Sequence, residues 1–228
     1  MTNDRNARYG AATGIVFLIL VVVGFSIFGS DAPSTNASGQ EWTAWYADHQ
    51  NRIQVGMTLV GVSVFFFLWF LGSLRSALAA AEGGTGRLAS VAFGGGMLGA
   101  AFFMVAVAAA ETAAFHATEP GVDPSITEAI NEFGLTVAAP ASAGFTALFA
   151  ASAVAGYRHG AFRPAVAGLA ALAAITQVFA YGAGVTETGA FAADGVLGLW
   201  VPFVGFVVGV LALSVTLVRR PVRRPTLQ

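Results

Sequence analysis

The chain has no cysteine and no lysine: its eleven strongly basic side chains are all arginine, with three histidines beside them. Without a thiol there is no disulfide, no all-cysteine iron–sulfur cluster, no thiolate zinc site and no cysteine nucleophile. Without a lysine there is no Schiff base to retinal or pyridoxal phosphate and no catalytic amine. Charge of either sign is scarce, at 10% of residues where soluble domains carry roughly 25%. The net charge of −1 arises by cancellation and carries no signal for nucleic acid.

What the chain does hold is long apolar runs. Hydrophobic residues make up 56% of its 228 positions. They gather into segments at 11–29, 53–74, 88–113, 134–156, 164–183 and 196–218. Each is near the ~20 residues that a spanning helix requires at 1.5 Å rise per residue. The charges are sorted around these segments. If the chain starts inside, ten of its eleven arginines fall on one side: Arg5, Arg8, Arg75, Arg87, Arg158, Arg163, Arg219, Arg220, Arg223 and Arg224. Against Asp4 and Glu82 they leave a net +8. The other side holds Asp31, Glu41, Asp48, Glu119, Asp123, Glu128, Glu132, Glu187 and Asp194 with Arg52 alone, a net −8. Alternation of this kind is the positive-inside pattern. The expectation is a single all-α domain over 1–228, an integral membrane bundle of six transmembrane helices in the plasma membrane with both termini cytoplasmic.

Arg5 and Arg8 ahead of an apolar run also fit a secretory signal. A run of nearly twenty residues exceeds the roughly 7–15 of a signal core, and no clear A-x-A site follows. The first segment is therefore expected to remain as a helix.

The inner connections are short and basic, as turns between antiparallel helices should be, and the outer ones are longer. Trp42, Trp45, Tyr46 and His49 recur at helical spacing, so 41–51 is expected to lie as a short interfacial helix with its aromatic rings in the headgroup layer. A second short interfacial helix is expected after Asp123, capped either by Asp123 with Pro124 at the first position or by a Ser125/Glu128 box. Ile126, Ile130 and Phe133 would line one of its faces. Gly94, Gly95, Gly96 and Gly99, with Ala167, Gly168, Ala171 and Ala174, mark helix crossings. Pro140 and Pro202 each remove a backbone donor and should kink their spans.

Chemistry-bearing residues are few. Glu111 is the one acid inside a span, and about 35 Å along its helix it sits near the outer boundary. Arg52, the one outer arginine, precedes the second span at a similar height. With Gln177, Tyr181 and Gln54 the two could line an outward-facing polar pocket; the plainer reading is an Arg52–Glu111 ion pair. No span holds a histidine away from its end, which leaves no bis-imidazole haem site and no buried serine–histidine pair. His116 with Glu119, or His49 with Asp48, offers two metal ligands where three or four are usual. No cofactor and no metal are expected.

The stretch Trp45-Tyr46-Ala47-Asp48, Asn51-Arg52-Ile53, then Phe67-Leu68-Trp69-Phe70-Leu71-Gly72-Ser73-Leu74-Arg75, with Glu82-Gly83 and Gly86-Arg87-Leu88, resembles a group of uncharacterised multi-span actinobacterial membrane proteins. The resemblance covers mainly residues 42–99. It implies about six helices, marks Arg52 and the Arg75/Arg87 turn as worth testing, and brings no activity. Function is thus expected to be that of a non-enzymatic accessory or assembly protein of the bilayer, alone, as a homo-oligomer or with another membrane protein. The alternatives are a small-solute transporter or ligand-binding protein, and a membrane enzyme acting on lipids.

Overall fold

A computed structural model describes residues 2–186 and 188–219, with side chains from Tyr9 onward except that of Ala138. The side chains of Asp4, Arg5 and Arg8, and residues Glu187, Arg220, Arg223 and Arg224, lie outside the described residues. The elements run α1 (Thr2–Phe28), α2 (Gly39–Asp48), α3 (Gln50–Glu82), α4 (Arg87–His116), α5 (Pro124–His159), α6 (Pro164–Phe179) and α7 (Val201–Val218). A 3₁₀ turn, Ala180–Gly184, extends α6, and a π turn, Val196–Trp200, leads into α7. Six helical stretches are long and apolar enough to cross a membrane: Tyr9–Phe28, Gln50–Glu82, Arg87–His116, Pro124–His159, Pro164–Gly184 and Val196–Val218. The chain is an all-α, multi-pass membrane bundle, and each expected span coincides with one of these to within a residue or lies inside it.

The six spans form a ring in chain order, α1–α3–α4–α5–α6–α7, that closes where α7 packs on α1. Short turns join α3 to α4 and α5 to α6, so neighbours run antiparallel. Arg75, Arg87, Arg158, Arg163 and Arg219 therefore gather at one end of the bundle, and the described acids other than Glu82 and Glu111 lie toward the other. At the acidic end the backbone N–H of Thr35 donates to Asp194 Oδ2 at 3.1 Å, tying the α1–α2 and α6–α7 connections together.

Phenylalanine rings occupy the axis of the ring. Phe17 of α1, Phe67 of α3, Phe145 and Phe149 of α5 and Phe206 of α7 meet there. Ring centroids lie 4.7 Å apart for Phe17–Phe67, 4.6 Å for Phe145–Phe206 and 6.0 Å for Phe67–Phe206. Tilted and edge-on contacts at these distances are the arrangements aromatic quadrupoles favour. Helices approach closely where α4 meets α5, since a Cβ on Gly95 or Gly144 would run into the other's carbonyl, and α1 meets α3 in the same way at Gly24 and Gly56. Gly96 and Gly99 likewise face Leu71 and Phe145, whereas Gly94 faces open space and marks no crossing. Pro202 begins α7 directly after the π turn, which absorbs its missing donor; Pro140 lies inside the continuous α5.

α3, α4 and α5 have 33, 30 and 36 residues. At 1.5 Å per residue each exceeds a hydrocarbon core of about 30 Å by 15 Å or more. This excess corrects one expectation: the helix begun at Asp123 is not a separate interfacial element but the first turns of α5. Asp123 caps it, accepting from Ser125 N at 3.0 Å and Ser125 Oγ at 2.8 Å, with Pro124 at the first position. These bonds hold the Asp123 carboxyl below the usual carboxylate range.

Candidate functional site: the clasp at the acidic end

α2 closes over the projecting ends of α3, α4 and α5. Its start is set locally: Ser38 Oγ accepts from Glu41 N, and Glu41 Oε2 accepts from Ser38 N at 2.8 Å, a reciprocal capping box. The helix then turns Trp42, Trp45 and Tyr46 inward, where they are 5%, 8% and 2% exposed. They pack with Ile53, Met57, Val107, Ala113 and Ala114 as a second core. The rings are therefore not headgroup anchors. Burying three large aromatics against protein removes more apolar surface from water than a headgroup layer could, and the outer face of α2 is left with Gln40, Glu41, Ala44 and Asp48.

Of the three apolar residues expected to line one face at the start of α5, Ile130 packs partly against the second core and the other two do not. Ile126 and Phe133 point outward, 46% and 55% exposed, while Thr127 and Asn131 are buried. Tyr46 Oη donates to Asn131 Oδ1 at 2.9 Å. That bond explains the choice, because a buried phenol requires an acceptor. Burial also pushes the Tyr46 phenol above its ordinary range.

The hinge between α1 and α2 is locked to the start of α3. Arg52 Nη2 donates to Asp31 Oδ1 at 2.7 Å, and the guanidinium stands 5.9 Å from the Trp45 ring centroid. His49 Nδ1 donates to the Trp45 carbonyl at 2.8 Å, which leaves Nε2 facing Asp31 Oδ2 at 3.6 Å. The Arg52 guanidinium beside Asp31 holds that carboxyl below the usual carboxylate range. Gly29, at φ +98°, makes the approach feasible: a Cβ there would meet Asp31 Oδ1 and the Arg52 guanidinium.

Of the five expected pocket residues, Arg52, Glu111, Gln177 and Tyr181 are not brought together. Glu111 accepts from Thr58 Oγ1 at 3.3 Å, not from Arg52. Thr58 is six residues beyond Arg52 on α3, about 9 Å along the axis and a third of a turn around it. Gln177 is on α6, opposite α3 in the ring, and its Nε2 donates to the Pro202 carbonyl at 2.7 Å. Tyr181 is 43% exposed on the 3₁₀ turn. The seam between α3 and α4 carries its own polar ladder instead. Gln50 Nε2 donates to Thr118 Oγ1 at 3.1 Å, Gln54 follows one turn on, and Thr58–Glu111 follows that.

Asp31, Trp45 and Asn131 were missed as partners. A usable signal existed for the register: Thr58 stands 24 residues before Glu82 and Glu111 stands 24 residues after Arg87, whereas Arg52 stands 30 before Glu82. Equal counts from a tight antiparallel turn are what place two side chains at one height.

Polar atoms without a hydrogen-bond partner concentrate under the clasp: Thr43 Oγ1, Trp45 Nε1, Arg52 Nε, Gln54 Nε2, His116 Nε2 and Thr127 Oγ1. His116 Nδ1 lies 3.1 Å from Glu119. His49 meets Asp31 rather than Asp48. Among the described residues no three histidine or acidic groups converge. Compared with protein-family models, curated proteins and solved structures, the chain matches none.

Proposed function

We propose that the protein is a non-enzymatic accessory or assembly subunit of the plasma membrane, with its Arg-bearing end and both termini in the cytoplasm and its clasp outside. The observation that carries this reading is the axis filled by Phe17, Phe67, Phe145, Phe149 and Phe206. A carrier binds its solute between helices near the midplane, where polar groups and broken helices face a cavity; here aromatic rings fill the axis. The protein's surfaces are then what it offers to other molecules. The sorting of arginines supports the orientation.

The test is to solubilise the tagged chain mildly from its own membrane and to reconstitute it alone. The reading expects a discrete complex containing a second membrane protein, and no solute flux from the reconstituted chain. A free monomer with saturable uptake of a defined solute would reject it. One observation favours a second reading, a small ligand held at the acidic end: the unpartnered donors Trp45 Nε1, Arg52 Nε and Gln54 Nε2 under the clasp.

A further inference from the structure

The seam between α6 and α7 opens toward the surrounding lipid as two clefts of ≈ 320 and ≈ 360 Å³ that share Leu169 and Val208. The second lies toward the Arg-bearing end, and Val166, Leu211 and Val215 complete its apolar walls. Its hydroxyl, Thr216 Oγ1, is spent on the Ala212 carbonyl at 2.7 Å, so the wall presents no free polar atom from that residue. From Val208 to Thr216 the cleft follows eight residues of α7. That is about 12 Å, close to the ~15 Å hydrocarbon half of one leaflet.

The helix ends just beyond this cleft are cationic. Three residues beyond Val166 stands Arg163, the N-cap of α6; three residues beyond Thr216 stands Arg219, the C-cap of α7. The helices are antiparallel neighbours, so both arginines sit at one level, and both are exposed. Arg158 and His159 end α5 just before the same turn. The three ion pairs among the described residues all lie at the acidic end of the bundle. The one described acid at the Arg-bearing end, Glu82, accepts from Leu88 N and Ala89 N at 2.9 and 2.7 Å and caps α4. The guanidiniums at these helix ends thus have no carboxylate among the described residues. The α6 N-terminus beside them adds positive dipole.

We propose that this end of the α6–α7 seam binds one anionic phospholipid, with an acyl chain along Leu169, Val208 and Leu211 and the phosphate between Arg163 and Arg219. The complementarity is of two kinds on one molecule: hydrocarbon of one leaflet's depth, and an anion at the headgroup level. A transmembrane helix would match the cleft but would need its own acids at that level.

Native mass spectrometry of the delipidated full chain tests this, with phosphatidylglycerol, phosphatidylcholine of matched chains, and glycerol 3-phosphate as probes. The expected result is one phosphatidylglycerol per chain, held roughly tenfold or more tighter than phosphatidylcholine, with glycerol 3-phosphate a poor competitor. Arg163→Gln with Arg219→Gln should erase the preference. Leu211→Trp, which fills the cleft, should weaken binding with both guanidiniums intact. Arg75→Gln with Arg87→Gln, at the other turn, should change nothing. Equal retention of the two lipids, effective competition by glycerol 3-phosphate, or an equal loss in the Arg75/Arg87 variant would overturn the site. So would a photocrosslinker at position 211 that captures protein in place of lipid.

Discussion

At Arg52 one basic side chain faces two acids with a claim on it, and geometry decides between them. The nearer in chain height is Asp31, and a bond at 2.7 Å with a ring face behind the guanidinium leaves Glu111 to Thr58. A double-mutant cycle should therefore show coupling between Arg52→Ala and Asp31→Asn, and strict additivity between Arg52→Ala and Glu111→Gln. Thermal unfolding in detergent reads both. The Asp31 carboxyl is held low in the folded protein, so its contribution is complete above the usual carboxylate range. It should be lost as pH falls through the depressed folded value, and the Asp31→Asn variant should lose that acid dependence. Tyr46→Phe should cost about 1–3 kcal/mol because it strands Asn131 in a buried site; Tyr46→Phe with Asn131→Leu should cost less than Tyr46→Phe alone.

Among the elements, α2 and the α4–α5 crossing show how a helix's surroundings override its composition. Spin labels along 40–50 should report accessibility with a period near 3.6 residues, lowest at 42, 45 and 46, and water rather than lipid contact at 40, 44 and 48. Lipid contact at 42 and 45 would restore the headgroup-anchor reading. Adjacent glycines supply a matched pair on α4. Gly95→Ala should destabilise, since its Cβ would enter the Gly144 carbonyl, while Gly94→Ala meets open space and should be neutral or gain up to about 1 kcal/mol of helix propensity.

For the molecule as a whole, the ring closed on phenylalanine predicts where stability resides. Phe206→Ala removes the ring that touches Phe17, Phe67, Phe145 and Phe149, and should cost about 3–5 kcal/mol. The orientation is tested by cysteines placed at 35, 122 and 85 in a chain that has none. In intact cells an impermeant maleimide should label the first two and spare the third; the reverse pattern would invert the bundle.

Spans, their order and the division of charge between the two ends were legible in the sequence, because they depend on local quantities. Twenty apolar residues leave the backbone only a helix in lipid, and an arginine next to such a run reports its side without reference to any other segment. The capping of α5 was legible to within two alternatives, of which the structure takes Asp123, since a cap is a contact within four residues. Only the tertiary structure decided which way α2 faces, that its Tyr46 bonds Asn131 of α5 while Ile126 and Phe133 point outward, and that Arg52 belongs to Asp31. Those outcomes turn on the relative height and rotation of helices distant in the chain. A pattern of apolar residues constrains each helix to within a face, whereas a hydrogen bond or ion pair requires a fraction of a turn.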